Sequence, residues 1–495
     1  MKKSPILFLK KWIPAFAPKR HSNLLNAKAF AKLYAGMTLL VAAGIAHAEL
    51  PATVADALKR AGIPQDSVGV FVQAVDSTSP ALAHNGSKSM NPASVMKLVT
   101  TTAALDILTP TYRWKTEMYR DGSVNNGALQ GNLVIKGNGD PSFKAQEFWR
   151  LLMSLQQLGI KQINGDFLID KSYFAKRVGE RHTFDDETWR AYNAEPSAFL
   201  VNGRNTSFKF IATDVGVNVT QEFELPEVQI VNNMKLSQGA CGEWRSRFGY
   251  TVKPKETGAV VTFSGTFSPA CEERYLELSV FDDEKYAFYT FRKLWRELGG
   301  TFNGKLKVQD TPASAVKILE QLSEPLGYVE RDINKWSNNL MARQLLLTIA
   351  AEKLSPPATE ANGEKAIKNW LGAKGYNFKE LVIENGSGLS RVERISAEHL
   401  GQMLVSAYNS PIMPELMASL PILSLDGTIK KRLSDNPVMG RAHLKTGSLD
   451  GVGAIAGYVL DQHNKRHVLV MLVNHAKSSG SKAAQDALIE WAYNQ

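Results

Sequence analysis

The chain has 495 residues, of which 44% are hydrophobic, and a formal net charge of +10. A chain of this length is too long for one hydrophobic core, so it predicts two or three domains. Eight Lys or Arg and no acidic residue lie in residues 1–48, and removing those eight charges from +10 leaves about +2. The overall basicity therefore does not indicate a nucleic-acid-binding protein.

The first 48 residues have the pattern of a secretory signal peptide. A basic stretch to Lys32 precedes an apolar run over residues 33–43, and Ala46-His47-Ala48 fits the small-x-small cleavage pattern. The alternative is an uncleaved membrane anchor, which needs a longer apolar run of about 20 residues. We therefore expect export to the periplasm, cleavage before Glu49, and at most peripheral membrane contact.

The next elements lead to a serine at the start of a helix. Residues 50–59 predict an amphipathic helix, and residues 67–75 and 81–85 predict two strands. Pro92 and Ala93 then mark a strand-to-helix corner, and an apolar run continues to Leu108. This places Ser94 in the first turn of a buried helix, with Lys97 one turn later on the same face.

A serine and a lysine one turn apart can carry out acyl transfer. A serine hydroxyl needs a base within hydrogen-bond reach, and a lysine can be that base when burial or another cation lowers its pKa. The helix N-terminus adds positive potential beside the reacting oxygen. Ser-x-x-Lys is a common pattern, however, and it recurs at 314–317, where we expect a surface helix, and at 479–482.

The residues after this helix have a different sequence pattern. Residues 112–280 predict hairpins, one helix and then mostly strands, so we interpret them as a β-rich insertion of one or two small domains. The insertion contains the two cysteines of the chain, Cys241 and Cys271. A disulfide in an oxidising compartment is favoured, and two buried thiols are the alternative.

The C-terminal part contains two further short motifs. Ser337 and Asn339 lie at the start of a helical run, and Lys445-Thr446-Gly447-Ser448 lies on a strand that precedes a second apolar strand. The string 434–436 also spells Ser-x-Asn, but it lies too close to Lys445 to come from a separate element across a cleft.

Together, the three motifs resemble the signature of the penicilloyl-serine transferases: Ser-x-x-Lys, then Ser-x-Asn, then Lys-Thr-Gly. The long gap from Ser94 to Ser337, and the phrases at 137–143, 165–170, 385–391 and 426–429, resemble the low-molecular-mass class C penicillin-binding proteins, which are D-alanyl-D-alanine carboxypeptidase/endopeptidases. The resemblance implies an α/β (α+β) transpeptidase/β-lactamase-like domain, with an antiparallel sheet flanked by helices. This catalytic domain would comprise residues 49–111 and 281–495, around an insertion of residues 112–280.

The resemblance also implies a role for each motif residue. Ser94 would attack the penultimate D-Ala carbonyl of a peptidoglycan stem peptide, with Lys97 as base, acting directly or through Ser337. The backbone N–H groups of Ser94 and Ser448 would hold the oxyanion. The implied catalytic residues are Ser94, Lys97, Ser337, Asn339 and Lys445, and the implied substrate-binding residues are Thr446, Gly447, Ser448 and Arg391.

Two features depart from this pattern or leave it open. Asn338 stands where many relatives have Asp, and the resemblance implies that this position points away from the nucleophile, so we expect little catalytic consequence. Arg391, with the acidic group 185–187, has two interpretations: recognition of the charged side chain of the stem peptide, or a solvated surface, which is favoured.

No metal site and no cofactor are expected, because the histidines and cysteines lack metal-binding spacing and Ser-Lys acyl transfer needs no added group. β-Lactams are the expected inhibitors. The alternatives are a β-lactamase, which the long insertion disfavours, and a non-catalytic penicillin-sensing or wall-binding module, which three intact motifs disfavour.

Overall fold

The computed structural model describes residues 49–176 and 184–495, so the predicted signal peptide lies outside the described residues. The helices are α1 (Ala52–Ala61), α2 (Met96–Leu108), α3 (Ala145–Gln157), α4 (Asp283–Glu297), α5 (Leu326–Lys335), α6 (Asn339–Leu354), α7 (Glu360–Ala373), α8 (Ala397–Tyr408), α9 (Met413–Ser419) and α10 (Lys482–Tyr493). The strands are β1 (Val68–Ala74), β2 (Leu82–His84), β3 (Lys115–Asn125), β4 (Ala128–Gly137), β5 (Gln162–Ile163), β6 (Phe167–Asp170), β7 (Thr206–Thr213), β8 (Gly216–Gln221), β9 (Val228–Leu236), β10 (Phe248–Lys255), β11 (Gly258–Phe267), β12 (Glu273–Leu278), β13 (Thr301–Phe302), β14 (Leu306–Val308), β15 (Val316–Leu322), β16 (Ala442–Leu449), β17 (Val452–Leu460) and β18 (Arg466–Asn474).

One sheet joins strands from both ends of the described chain. Its strand order is β16-β17-β18-β1-β2, and each pairing is antiparallel. Helices cover both faces, which explains why β18 is apolar along its length. Val470 and Leu472 pack into the cluster that contains α2 and α8, whereas Leu469 and Met471 pack against α1 and α10. The predicted antiparallel sheet flanked by helices is confirmed.

Helix α2 is the centre of the first hydrophobic cluster. Residues 96–105 of this helix are all buried, and α2 contacts α5, α6, α7 and α8. Two of its threonines bond inside the protein: Thr100 Oγ1 donates to the Gly386 carbonyl at 2.7 Å, and Thr101 Oγ1 donates to the Lys97 carbonyl at 2.7 Å. These hydroxyls are thus satisfied by partners in the protein.

The β-rich insertion is also confirmed. Strands β3 to β15 form further sheets, one with the order β10-β11-β9, one with the order β12-β7-β8, and a larger one built on β3 and β4. A separate hydrophobic cluster, rich in phenylalanine, joins them. Cys241 and Cys271 form a disulfide in this region.

Two features of the chain around residue 300 differ from the sequence interpretation. Residues 314–317 do not start a surface helix, because Val316–Leu322 pairs with β3 as strand β15. Helix α4 packs in the phenylalanine-rich cluster through Phe291 and Trp295. The domain boundaries stay a prediction, and from this packing we propose that the insertion extends to about residue 322 rather than 280.

Over residues 49–176 and 184–495, no helix is both long and apolar enough to cross a membrane.

Candidate active site

Ser94 lies at a strained corner just before helix α2. It belongs to a single 3-10 turn, Ala93–Val95, and not to the first α-helical turn that the sequence predicted. Ala93 has a φ of +46°, a left-handed conformation that costs a residue with a side chain about 1 kcal/mol or more. The Ala93 N–H donates to Asn91 Oδ1 at 2.8 Å, and Asn91 Nδ2 donates to the Ser390 carbonyl at 2.9 Å. These buried bonds hold the corner in place.

Lys97 is fully buried and points at the serine. Its Nζ lies 3.2 Å from Ser94 Oγ, 2.6 Å from Asn339 Oδ1 and 2.5 Å from the Ser387 carbonyl oxygen. Two acceptors thus fix the amine beside the hydroxyl. The one-turn spacing of Ser94 and Lys97 predicted that their side chains meet, and in the structure they do.

A second buried lysine enters the site from strand β16. Lys445 Nζ donates to Ser337 Oγ at 2.8 Å and to the Thr446 carbonyl at 2.8 Å. Burial lowers the pKa of Lys445 to about 7. Burial and the charge of Lys445 hold the pKa of Lys97 well below its usual range, while the charge of Glu393 opposes that shift. Both amines are therefore easier to deprotonate than exposed lysines.

Ser337 and Asn339 are positioned by the junction of α5 and α6. Helix α5 ends at Lys335, and Ser337 adopts a φ of +58°, which turns the chain sharply. Asn338 is the N-cap of α6, and its side chain accepts from the Met341 N–H at 3.1 Å. The side chain of Asn338 thus caps its own helix, which is consistent with the expected small effect of its departure from Asp.

Strand β16 is the edge of its sheet and lies against the Ser94 corner. Gly447 makes this approach possible, since a Cβ there would lie 2.6 Å from the Pro92 carbonyl oxygen and 3.0 Å from Ser94 N. Ser448 is exposed on the same edge. Thr446 Oγ1 lies 3.0 Å from Thr428 Oγ1, so a second threonine hydroxyl, for which no role was predicted, stands beside the Lys-Thr-Gly motif.

The glycine-rich segment 384–391 covers the other side of the corner. A Cβ on Gly388 would lie 1.9 Å from the Ala93 carbonyl oxygen, so this contact requires glycine. Behind the segment lies Glu393, which is fully buried and was not predicted. A single glutamate in a polar stretch gives no signal in the sequence, whereas the phrase at 385–391 did mark the segment.

Arg391 lies at the far end of this segment. Its guanidinium carbon is 4.6 Å from the centroid of the Phe184 ring, and its Nη1 donates to the Asp450 carbonyl at 3.0 Å. Asp185, of the acidic group, accepts bonds from Tyr192 and Asn193. The structure thus places Arg391 at the rim, and not among the groups around Ser94 Oγ.

The competing short motifs lie in other surroundings. Ser314 is on the surface and donates to Asp121 Oδ1 at 3.0 Å. Asn436, of the second Ser-x-Asn string, lies in a turn and donates to Glu490 Oε1 at 2.5 Å. Of the three Ser-x-x-Lys serines, Ser94 is the one whose lysine is buried beside a second motif.

Among the residues that the structure describes, no group of three His, Cys, Asp or Glu side chains is arranged to hold a metal ion.

Comparison with known proteins gives the chain its family. The model of the D-Ala-D-Ala carboxypeptidase 3 (S13) family matches residues 50–495. The chain belongs to this family. It is thus a serine-type D-Ala-D-Ala carboxypeptidase, and its resemblance to the low-molecular-mass penicillin-binding proteins is confirmed.

Relatives of this carboxypeptidase match over most of their length. D-alanyl-D-alanine carboxypeptidase DacB of Haemophilus influenzae is 26% identical, over 87% of this chain and 91% of the relative. The D-alanyl-D-alanine carboxypeptidase of Actinomadura sp. (strain R39) is 25% identical, over 85% of this chain and 80% of the relative. The crystal structure of penicillin binding protein 4 (dacB) from H. influenzae superimposes with a TM-score of 0.75 at 24% identity, covering 89% of this chain and 99% of that one, which shows the same fold.

Proposed function

We propose that this carboxypeptidase removes the terminal D-Ala of peptidoglycan stem peptides through an acyl-enzyme on Ser94. The observation that carries the proposal is a fully buried amine, Lys97 Nζ, at 3.2 Å from Ser94 Oγ. A neutral amine at that distance is within reach to take the hydroxyl proton.

The chemistry then proceeds in two steps. Ser94 Oγ forms a bond to the penultimate D-Ala carbonyl carbon, and its proton passes to Lys97 Nζ. The C–N bond to the terminal D-Ala breaks, and the leaving amine takes a proton from the enzyme. In the second step water attacks the ester, Ser94 regains its proton, and the shortened peptide leaves.

We propose that Lys97 acts directly and not through Ser337. Its Nζ lies next to Ser94 Oγ, whereas Ser337 Oγ is bonded to Lys445 at 2.8 Å. Ser337 and Lys445 together form a second pair, suited to deliver a proton to the leaving amine. This division of roles uses the two depressed lysine pKa values at different points of the reaction.

The edge of β16 supplies the remaining interactions. Lys445 and Thr446, with Thr428 beside Thr446, would receive the terminal carboxylate, because they combine a positive charge with two hydroxyl donors. The N–H groups of Ser94 and Ser448 would hold the oxyanion, each worth about 3 kcal/mol in the transition state. Asn339 would orient the substrate amide as well as Lys97.

We also propose D,D-endopeptidase activity on cross-linked peptides. A cavity of about 480 Å³ opens beside Ser337, lined by Trp336, Tyr192 and Arg245 among others, and it offers room for a bulkier leaving group than D-Ala. The side chain of Trp336 is 62% exposed there. Arg391, at the rim, would contact a charged group of the stem peptide.

β-Lactams would acylate Ser94 in place of the peptide. A crystal structure of the H. influenzae relative is described as complexed with a β-lactam. We propose that the enzyme acts in the periplasm, and the predicted signal peptide in residues 1–48 supports that location.

The test measures release of D-Ala from a pentapeptide that ends in D-Ala-D-Ala, together with products from purified sacculi. Wild-type enzyme should release D-Ala and cleave cross-linked muropeptides, and Ser94→Ala should do neither. Ser314→Ala and Ser479→Ala are the matched controls, since both serines belong to the same Ser-x-x-Lys pattern. Their activity should equal that of the wild type.

The outcomes separate the alternatives. Full activity in a folded Ser94→Ala variant contradicts the proposal. Rapid hydrolysis of penicillin without D-Ala release indicates a β-lactamase, and neither activity in the wild type indicates a non-catalytic module. If the wild type releases D-Ala but cleaves no cross-linked muropeptides, the endopeptidase proposal is wrong and the carboxypeptidase proposal stands.

A further inference from the structure

Glu393 stands behind the glycine-rich segment and bonds to it from inside the protein. Its Oε1 accepts three backbone N–H groups, from Glu384 at 3.2 Å, Asn385 at 2.9 Å and Gly386 at 2.8 Å. A carboxylate that accepts several backbone N–H groups organises a loop strongly, and here the N–H of Gly386 would otherwise be buried without a partner.

The segment that Glu393 holds makes two contacts with the reacting groups. The Ser387 carbonyl accepts from Lys97 Nζ, and Gly388 lies against the Ala93 carbonyl without room for a side chain. A shift of the segment would therefore move the acceptor that fixes the amine, and misplacement by about 1 Å can cost a hundred-fold in rate.

The second carboxylate oxygen of Glu393 has no hydrogen-bond partner in the part of the chain that the structure describes. A protonated carboxyl would need an acceptor for its O–H, whereas an ionised carboxylate needs only donors or positive charge. Lys97 favours the ionised carboxylate when its amine is protonated. Burial raises the pKa of Glu393, while the three backbone N–H groups and Lys97 oppose the rise.

Among the described residues, two charged groups act on Lys97. Lys445, from β16, acts on Lys97 with a like charge, and Glu393, behind the glycine-rich segment, acts on it with an opposite charge. The other neighbours, which are Ser94 at the corner before α2, Asn339 on α6 and Ser387 in the segment, are neutral. Glu393 is the group in this set that favours the protonated amine.

We propose that Glu393 is a positioning residue for acyl transfer. It holds the glycine-rich segment against the nucleophile corner, and it sets the pH range in which Lys97 is neutral. This inference rests on the proposed role of Lys97 as the base. It adds a residue outside the three motifs and gives it a testable function.

The experiment measures the second-order rate of acylation by a fluorescent penicillin between pH 5 and pH 10. Glu393→Gln keeps an acceptor oxygen for the backbone N–H groups but removes the charge. The acid limb of its pH–rate profile should shift to lower pH by about one unit, because the ammonium of Lys97 loses a neighbouring negative charge. Glu330→Gln is the matched control, since Glu330 is equally buried but lies on α5 and is not among the charges that act on Lys97. Its acid limb should coincide with that of the wild type.

Glu393→Asp tests the positioning role and also serves if Glu393→Gln does not fold. Aspartate keeps the charge but withdraws the oxygen by one methylene, so the maximal rate should fall about ten-fold or more with the acid limb near that of the wild type. Coincident acid limbs in wild type and a folded Glu393→Gln overturn the inference, as does an unchanged maximal rate in Glu393→Asp. Ser94→Ala keeps the tests separate: if that variant is still acylated, the proposed function fails and not the role of Glu393.

Discussion

The α-carbon of Gly388 rests against the carbonyl of Ala93, the residue before the nucleophile. A Cβ at position 388 would lie 1.9 Å from that carbonyl oxygen and 2.6 Å from Ser94 N. Backbone atoms form this contact on both sides, so a side chain cannot be accommodated by rotating a neighbour. The close approach places the Ser387 carbonyl next to Lys97 and makes the segment part of the site.

Gly388→Ala should therefore damage both stability and activity. Gly388 has a φ of +79°, and the added Cβ meets backbone, so we expect a loss of about 3 kcal/mol in the free energy of unfolding and about a hundred-fold loss in acylation rate. Gly375→Ala is the control, because its φ is +83° but nothing lies within 4 Å of its Cβ. That variant should lose about 1 kcal/mol and acylate normally. Equal effects of the two substitutions in urea titrations would contradict the importance of the contact.

Lys445→Met should abolish peptidase activity and stabilise the fold at low pH. The folded-state pKa is about 7, below the value of about 10.4 expected in the unfolded chain, so the unfolded state binds more protons between these values. Wild-type stability should therefore rise with pH over this range, and the folded state carries the full penalty below pH 7. The gain from methionine should be about 1–2 kcal/mol at pH 6 and vanish near pH 10.

Lys335→Met is the control for that measurement. Lys335 is also buried, but it is paired with Asp426 at 2.6 Å and donates to the Leu420 carbonyl at 2.9 Å. Unlike Lys445, Lys335 has a carboxylate partner, so its replacement should lower the free energy of unfolding by about 1 kcal/mol or more by leaving the charge of Asp426 unpaired. If both lysine variants lower the free energy of unfolding at pH 6, burial of Lys445 does not carry the stated penalty.

Asn338 and Asn339 are neighbours with different functions. Asn338→Ala should cost about 1 kcal/mol of stability through the lost N-cap and leave the acylation rate nearly unchanged. Asn339→Ala should lower the acylation rate about a hundred-fold, because Lys97 loses the acceptor at 2.6 Å. Thermal unfolding and penicillin acylation of both variants measure this. A large rate loss in Asn338→Ala would mean that its side chain acts beyond the helix.

Removal of the disulfide should destabilise the insertion and spare the chemistry. Cys241 and Cys271 are 30 positions apart, and opening a loop of that size costs about 3–4 kcal/mol in the chain-entropy description. The double serine variant should unfold at lower urea concentration but acylate at the wild-type rate below its transition. Slow acylation by the folded variant would indicate that the insertion shapes the active site.

The comparison of sequence and structure shows what short motifs can predict. Ser94 and Lys97 are close in sequence, so their one-turn spacing alone predicted that they meet. The approach of Ser337 and Lys445 was predicted from the family resemblance. The role of Glu393 was not predicted, because it depends on backbone N–H groups that only the folded segment presents. Residues 314–317 were expected to start a surface helix, but pairing of Val316–Leu322 with β3 decides the conformation there, and such a non-local contact overrides local preference.

The placement of helix α4 has a similar explanation. Its pattern of apolar residues predicts one buried face, but the pattern does not say which of the hydrophobic clusters that face meets. Phe291 stacks on Phe167 with ring centroids 4.2 Å apart, which joins α4 to the insertion.

The most direct measurement is the position of the acyl group. Wild-type enzyme is incubated with penicillin, quenched in acid and digested, and the modified peptide is located by mass spectrometry. We predict a single adduct on Ser94, lost in Ser94→Ala and kept in Ser314→Ala and Ser479→Ala. An adduct on any other residue, or a normal adduct yield in Ser94→Ala, would contradict the assignment of the nucleophile.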